Sequence, residues 1–268
     1  MRLLVTGGAG YLGSEVAARA QARGWEVFAT WFNRPPPGAR PVRLDIRDEN
    51  DTARTLLKQG PAVVIHTAYR QADDEVWSAV VEGSRNVARA AHRAGARLLH
   101  LSTDLVFGGE REGRYREDDE PRPVSLYGEA KLAAERLVAE LHPEALVVRT
   151  SLLVGKPGRQ EALALRRDIA FYRDEVRTPL HVGDLAEALL ELAETELTGR
   201  LHVAGPDALS RLELARLLAA AQGRDPSEVR GAQSPEVGRA RNVALDSSRA
   251  AGILNVRIRG VNEALQSL

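Results

Sequence analysis

Met1-Arg2-Leu3-Leu4-Val5-Thr6-Gly7-Gly8-Ala9-Gly10-Tyr11-Leu12-Gly13-Ser14 is the stretch that decides the fold. Met1 to Thr6 is a short apolar run of the kind that forms a buried parallel strand. Ser14 to Arg23 reads as a helix. Between them Gly7, Gly10 and Gly13 form G-x-x-G-x-x-G. Glycines so placed permit a tight turn, close approach of backbone to a pyrophosphate, and close packing of helix on strand. The phosphates would sit on the N–H groups of the helix N-terminus. A glycine-rich turn alone can be only a turn. A strand before it and a helix after it favour a dinucleotide site, with Gly7, Gly10, Tyr11, Leu12 and Gly13 on the cofactor.

Outward from this turn, strands and helices alternate. Strands are expected at 25–31, 42–44, 62–66, 97–102 and 146–149, and helices at 49–59, 75–94 and 125–141. Alternation of this kind implies a parallel sheet, so the fold class is α/β, a Rossmann-type doubly wound sheet. Residues 1–150 are expected to form the dinucleotide-binding domain. Residues 151–268, with helices near 183–195 and 211–222, read as a smaller substrate-binding lobe with chain excursions back to the sheet. Ligands of such sheets bind at the carboxyl ends of the strands. Gly10, Thr67-Ala68, Thr103-Asp104 and Thr150-Ser151 all follow strands, and their convergence predicts one crevice.

Tyr127-Gly128-Glu129-Ala130-Lys131 supplies the chemistry. Positions i and i+4 share a helix face, so the Lys131 ammonium can lower the Tyr127 pKa from the phenol value of about 10. Such a tyrosine can give a proton to a carbonyl oxygen as a hydride reaches the carbon.

Cofactor choice is read at the end of the second strand, where NAD-specific folds usually carry an acidic residue. Here Trp31 is followed by Phe32, Asn33 and Arg34, with no carboxylate to repel a 2′-phosphate. Arg34 offers a cation and Asn33 an amide donor. NADP(H) is therefore expected over NAD(H), with a solvated loop as the alternative reading of Arg34.

Composition narrows the rest. The formal net charge is +0, so bulk electrostatics suggests neither nucleic acid nor anionic membrane as a partner. No cysteine is present, and the 6 histidines show no close ligand pairing, so no metal site is expected. No run is long and apolar enough for a bilayer span, and Met1 leads straight into a strand. The expected location is cytoplasmic.

With the glycine turn, Thr103, Tyr127 and Lys131 in order, the chain resembles the extended short-chain dehydrogenase/reductases. Within them it is most similar to the dTDP-4-dehydrorhamnose reductase family. Leu101-Ser102-Thr103-Asp104-Leu105-Val106-Phe107, Leu126-Tyr127-Gly128-Glu129-Ala130-Lys131 and Arg177-Thr178-Pro179 carry the likeness, which extends over essentially the whole chain. The resemblance implies that Thr103 binds the substrate oxygen, Tyr127 donates the proton and Lys131 also holds the cofactor ribose. Asp45 and Ile46 would flank the adenine, and Ala68 would border the nicotinamide. Asp104 could bind substrate or cap a turn. Arg177 could meet a substrate phosphate or form a surface ion pair. Asp184 reads as a helix N-cap. Two departures stand out. Val80 occupies the position where many relatives carry an asparagine, and residues 155–174 are short for a sugar-nucleotide pocket.

The resemblance implies an NADP-dependent reductase of a keto group, on a nucleotide-linked 4-keto-6-deoxy sugar. The alternatives are an epimerase or dehydratase of the same superfamily, or a non-catalytic NADP-binding regulatory subunit. Leu105 after Asp104 does not supply the Asp-Glu pair usual in a dehydratase. A homodimer is the prior for the superfamily.

Overall fold

A computed structural model of the chain describes residues 1–36, 38–70, 74–155, 158–235 and 238–266. In its first half, β1 (Arg2–Thr6), α1 (Tyr11–Ala22), β2 (Glu26–Trp31), β3 (Arg40–Arg43), α2 (Glu49–Gln59) and β4 (Val63–His66) follow one another. A π-helical turn (Ser78–Glu82), α3 (Gly83–Arg93), β5 (Arg97–Thr103), α4 (Leu126–Leu141) and β6 (Leu146–Thr150) come next. The second half holds β7 (Leu153–Val154), α5 (Arg159–Ala164), β8 (Phe171–Tyr172), β9 (Val176–Arg177), β10 (Leu180–His181) and α6 (Val182–Ala193). It ends with β11 (Gly199–His202), β12 (Leu209–Ser210), α7 (Arg211–Ala221), β13 (Gly231–Ala232), α8 (Ser248–Ile253) and α9 (Val261–Gln266).

The seven-stranded sheet has the order β11-β6-β5-β4-β1-β2-β3. Its pairs from β5 through β4, β1 and β2 to β3 are parallel. The chain leaves β1 towards β2 and β3, then returns to lay β4 on the other side of β1. This reversal creates the switch point at which such sheets take ligands. The strands are apolar on both faces because helices cover both; Leu3, Leu4 and Val5 are all fully buried. On one face Leu4, Val64, Leu98 and Val147 pack with Leu56 of α2, Val87 of α3 and Val138 of α4.

The chain divides into two compact units. The first comprises 1–102, 126–148 and 186–201, and the second 103–125, 149–185 and 202–268. The expected change near residue 150 is thus one of several crossings. The second unit is built on two-residue strand pairs: β7 with β10 and β8 with β13 are parallel, and β9 with β12 antiparallel. Two apolar clusters hold it, one of Val154, Ala164, Leu214 and Val261, the other of Phe171, Leu212, Ala219 and Val229. α7 starts on a capping box, with Ser210 Oγ accepting from Glu213 N at 3.1 Å and Glu213 accepting from Ser210 N at 2.7 Å.

The expected single helix over 75–94 is instead a π-helical turn followed by α3. Val80 lies in that turn and packs on Ala130 and Ala134 of α4. No helix among the described residues is long and apolar enough to cross a membrane.

Candidate active site

The glycine turn is shaped by close approach. Gly7 has φ +69°, which favours glycine, and a Cβ there would stand 2.8 Å from the Cα of Ala68. A Cβ on Gly13 would fall 2.3 Å from the Gly7 carbonyl oxygen, so α1 can rest on the turn only without one. Gly10 N–H donates to Gly7 O at 2.8 Å, and Ser14 N–H to Gly10 O at 3.0 Å opens the helix. The α1 N-terminus has no side-chain cap and no acidic residue in its first turn. Its positive end therefore remains available to an anion. This cradle, which a Cβ would fill, fits the pyrophosphate of a dinucleotide.

A cleft runs from Gly7 and Ala68 past Leu44, Asp45, Ile46 and Arg47 to Phe32 and Tyr69. Gly7, Asp45, Ile46 and Ala68 are thus brought together. Asp45 receives Arg47 in a two-pronged contact, Nε to Oδ1 at 2.9 Å and Nη2 to Oδ2 at 2.7 Å. These bonds hold the Asp45 carboxyl below the ordinary aspartate range. Asn86 of α3 fixes the same segment by donating to the carbonyls of Ile46 and Arg47, each at 3.0 Å. The Arg47 guanidinium also lies 5.2 Å from the centre of the Phe32 ring. Sequence reading missed Arg47 and Phe32. A cation two residues after a pocket aspartate was the available signal. Asn33 and Arg34 are exposed in the bend after β2. Thr67 does not offer its hydroxyl freely: Oγ1 donates to Thr6 O at 2.7 Å.

Tyr127 and Lys131 lie one turn apart on α4, and both approach Tyr69. The Tyr69 and Tyr127 ring centroids are 6.0 Å apart, and Lys131 Nζ is 5.8 Å from the Tyr69 centroid. Lys131 is 4% exposed and donates to Leu101 O, near the carboxyl end of β5, at 2.8 Å. Burial pushes its ammonium down to about 8, against the opposing pull of Glu135. Tyr69, absent from the sequence reading, is a half-exposed wall between the cofactor cleft and the tyrosine-lysine pair.

Burial of that ammonium has a stability consequence. The lysine pKa is lowered on folding, so between about pH 8 and 10.5 the unfolded chain binds more protons than the folded one. Stability contributed by this group therefore rises with pH across that window and is lowest below it. Lys131→Met removes a penalty of up to about 3 kcal/mol at neutral pH, offset by about 1 kcal/mol for the hydrogen bond lost at the Leu101 carbonyl. The variant is expected to be the more stable protein at pH 7, with the advantage gone by pH 10. Urea unfolding at both pH values checks this; a variant less stable than wild type at pH 7 contradicts it.

Thr103 closes β5; its hydroxyl accepts from Leu105 N at 3.2 Å and donates to Asp104 Oδ1 at 3.1 Å. Thr150 closes β6, and its buried hydroxyl has no hydrogen-bond partner among the described residues. In the second unit Asp104 and Arg177 meet each other. Arg177 Nε donates to Asp104 Oδ2 at 2.7 Å, and Nη2 bonds Oδ1. Asp104 is 0% exposed, and Ser151 also donates to it. Thr103 rather than Asp104 caps the turn, and the ion pair of Arg177 is buried rather than on the surface. Asp104 and Arg177 form a buried ion pair in which each charge compensates the other, and Ser151 and Thr103 give Asp104 further hydrogen bonds. Asp184 likewise lies inside the first turn of α6 rather than at its cap, accepting from Arg259 Nη2 at 2.6 Å. No group of three or more metal-binding side chains occurs among the described residues.

Comparison with known proteins adds the following. The family model described as the RmlD substrate binding domain matches residues 1–268. A dTDP-4-dehydrorhamnose reductase of Mycobacterium tuberculosis is 34% identical over 253 residues, covering 88% of this chain and 80% of that one. Methionine adenosyltransferase 2 subunit beta of Bos taurus is 32% identical, covering 92% and 81%. Among solved structures, a dTDP-4-dehydrorhamnose reductase from Bacillus anthracis in complex with NADP superposes with a TM-score of 0.85 at 26% identity, covering 99% and 97%. A Thermus thermophilus UDP-glucose 4-epimerase complex with NAD gives 0.86 at 25% identity, covering 99% and 97%.

Proposed function

The chain belongs to the RmlD substrate binding domain family, and from that premise we propose that it reduces the keto group of a nucleotide-linked 4-keto-6-deoxy sugar, with NADPH preferred. It is an NAD(P)-dependent oxidoreductase of the extended short-chain dehydrogenase/reductase type. The observation that carries the reading is Lys131, buried on the Tyr127 face of α4 with its ammonium lowered towards neutrality.

Gly7, Gly10, Tyr11, Leu12 and Gly13 would hold the pyrophosphate, Asp45 and Ile46 the adenine side, and Ala68 the nicotinamide side. When bound, the nicotinamide supplies a hydride to the carbonyl carbon. Tyr127 delivers the proton to the carbonyl oxygen, and the Thr103 hydroxyl would turn from Asp104 Oδ1 to donate a hydrogen bond to that oxygen. Lys131 favours the tyrosinate left behind through its positive charge. Thr67 supports the site through the backbone of Thr6, and Thr150 offers an unspent hydroxyl.

NADPH preference rests on Asn33 and Arg34, exposed beyond β2 where a 2′-phosphate would arrive. Arg34→Ala is expected to weaken NADPH about tenfold or more, the worth of one charged hydrogen bond, with little effect on NADH. Titrating both cofactors against both proteins tests it, and an unchanged preference removes Arg34 from the role.

A second reading, a non-catalytic NADP-binding regulatory subunit, draws support from the likeness to methionine adenosyltransferase 2 subunit beta and from apolar Val80. Following nicotinamide absorbance with a panel of nucleotide keto-sugars separates the two. Consumption of cofactor with one of the sugars supports the reductase, and binding of cofactor without turnover of any supports the second reading.

A further inference from the structure

Alternation along β4 and β5 puts Val64 and His66, and Leu98, His100 and Ser102, on the sheet face that α3 and α4 cover. The apolar members join the core, and the others form a buried polar layer. His66 and His100 stand opposite each other in register, with ring centroids 5.2 Å apart. Both nitrogens of His66 have hydroxyl partners, Thr6 Oγ1 at 2.6 Å and Ser84 Oγ at 3.1 Å. His100 is 0% exposed, and neither of its ring nitrogens has a hydrogen-bond partner among the described residues. An imidazole buried in that way weakens the fold relative to the leucine that would continue the strand.

The charge facing this layer is that of Lys131. Its Nζ is anchored on the carbonyl of Leu101, the residue after His100. Burial and the Lys131 charge together hold both imidazoles neutral. The other charged groups nearby do not solvate the ammonium fully. Glu135 of α4 is bound by Ser102 and has Arg200 at 3.9 Å, while Glu82 of the π-helical turn is exposed. From the π-helical side Val80 presents only methyl groups.

We propose that His100 is a positioning residue for Lys131: its neutral imidazole accepts a hydrogen bond from the ammonium through one buried water, and so keeps the charge on the Tyr127 face of α4. The role rests on the proposed function only in what the charge is used for. Lysine occurs at 58, 131 and 156 alone, so a lysine-labelled sample gives few side-chain signals to follow by NMR.

Lys131 is expected to titrate below the ordinary lysine value. In His100→Phe, which keeps a ring and removes both nitrogens, its proton affinity should fall a further tenfold or so, and His100→Gln should restore most of it. A folded His100→Phe protein whose Lys131 titrates as in wild type overturns the proposal. Should that variant not fold, histidine-labelled wild type decides: one His100 nitrogen should shift as Lys131 loses its proton, and a silent His100 is the refutation. None of these spectra needs substrate. A Lys131 that moves as expected in a protein that reduces no keto-sugar supports His100 in this role and overturns the reading of the reaction.

Discussion

Tyr127→Phe is expected to lower turnover by about 10²–10⁴-fold while leaving cofactor binding nearly intact, the usual worth of a placed general acid. The substitution keeps the ring that packs beside Tyr69 and on the Val80 turn, and removes only the hydroxyl. Folding should therefore be unaffected, which circular dichroism would verify. Steady-state rates and a cofactor titration on the same preparations separate chemistry from binding. Near wild-type turnover in the variant would mean that the proton comes from elsewhere and that the tyrosine-lysine pair is structural.

The second large effect is on stability, in the other compact unit. Removing one partner of a buried ion pair strands the other charge, which typically costs about 3–5 kcal/mol. Asp104 is fully enclosed and takes both Arg177 and Ser151, so Asp104→Ala should destabilise the protein by that order. Replacing both charges, as in Asp104→Leu with Arg177→Met, should recover much of the loss, because no uncompensated charge is then buried. Chemical denaturation of Asp104→Leu, Arg177→Met and the double variant makes a complete cycle. Additive losses would show that the two residues act independently.

The parts of the fold legible in the sequence are those fixed by local rules. β1 and β4 are short, mostly apolar runs because both faces of the sheet are covered. The glycine turn is legible because Gly7 and Gly13 answer backbone approaches that any larger residue would block. Contacts distant in sequence were not legible. β11 reads Gly-Arg-Leu-His, with two residues exposed, and joins the sheet edge only through tertiary pairing. The two-residue strands of the second unit carry no period at all. The π-helical turn has the same apolar pattern as an ordinary helix, so one helix was the natural reading of 75–94.

The site divides in the same way. Tyr127 and Lys131 are four apart on one helix, and helical geometry alone puts them together. Asp104 and Arg177 are separated by 73 residues, and nothing local says that they spend their charges on each other. Tyr69 and His100 escaped notice for a related reason. Tyr69 follows β4 and His100 lies in the middle of β5, and neither stands out until α4 is laid across the sheet. The helix read near 211–222 is α7, and the Ser210-to-Glu213 capping box fixes its start at Arg211.

The central claim, that a sugar carbonyl takes a hydride in this site, is tested most directly with NADPH carrying deuterium at the transferable nicotinamide position. The protein is incubated with a nucleotide-linked 4-keto-6-deoxy sugar, and the product is analysed by mass spectrometry and NMR. The account predicts one deuterium on the former carbonyl carbon, in wild type and at a greatly reduced rate in Tyr127→Phe. Cofactor that binds but leaves no deuterium in any keto-sugar offered would contradict it.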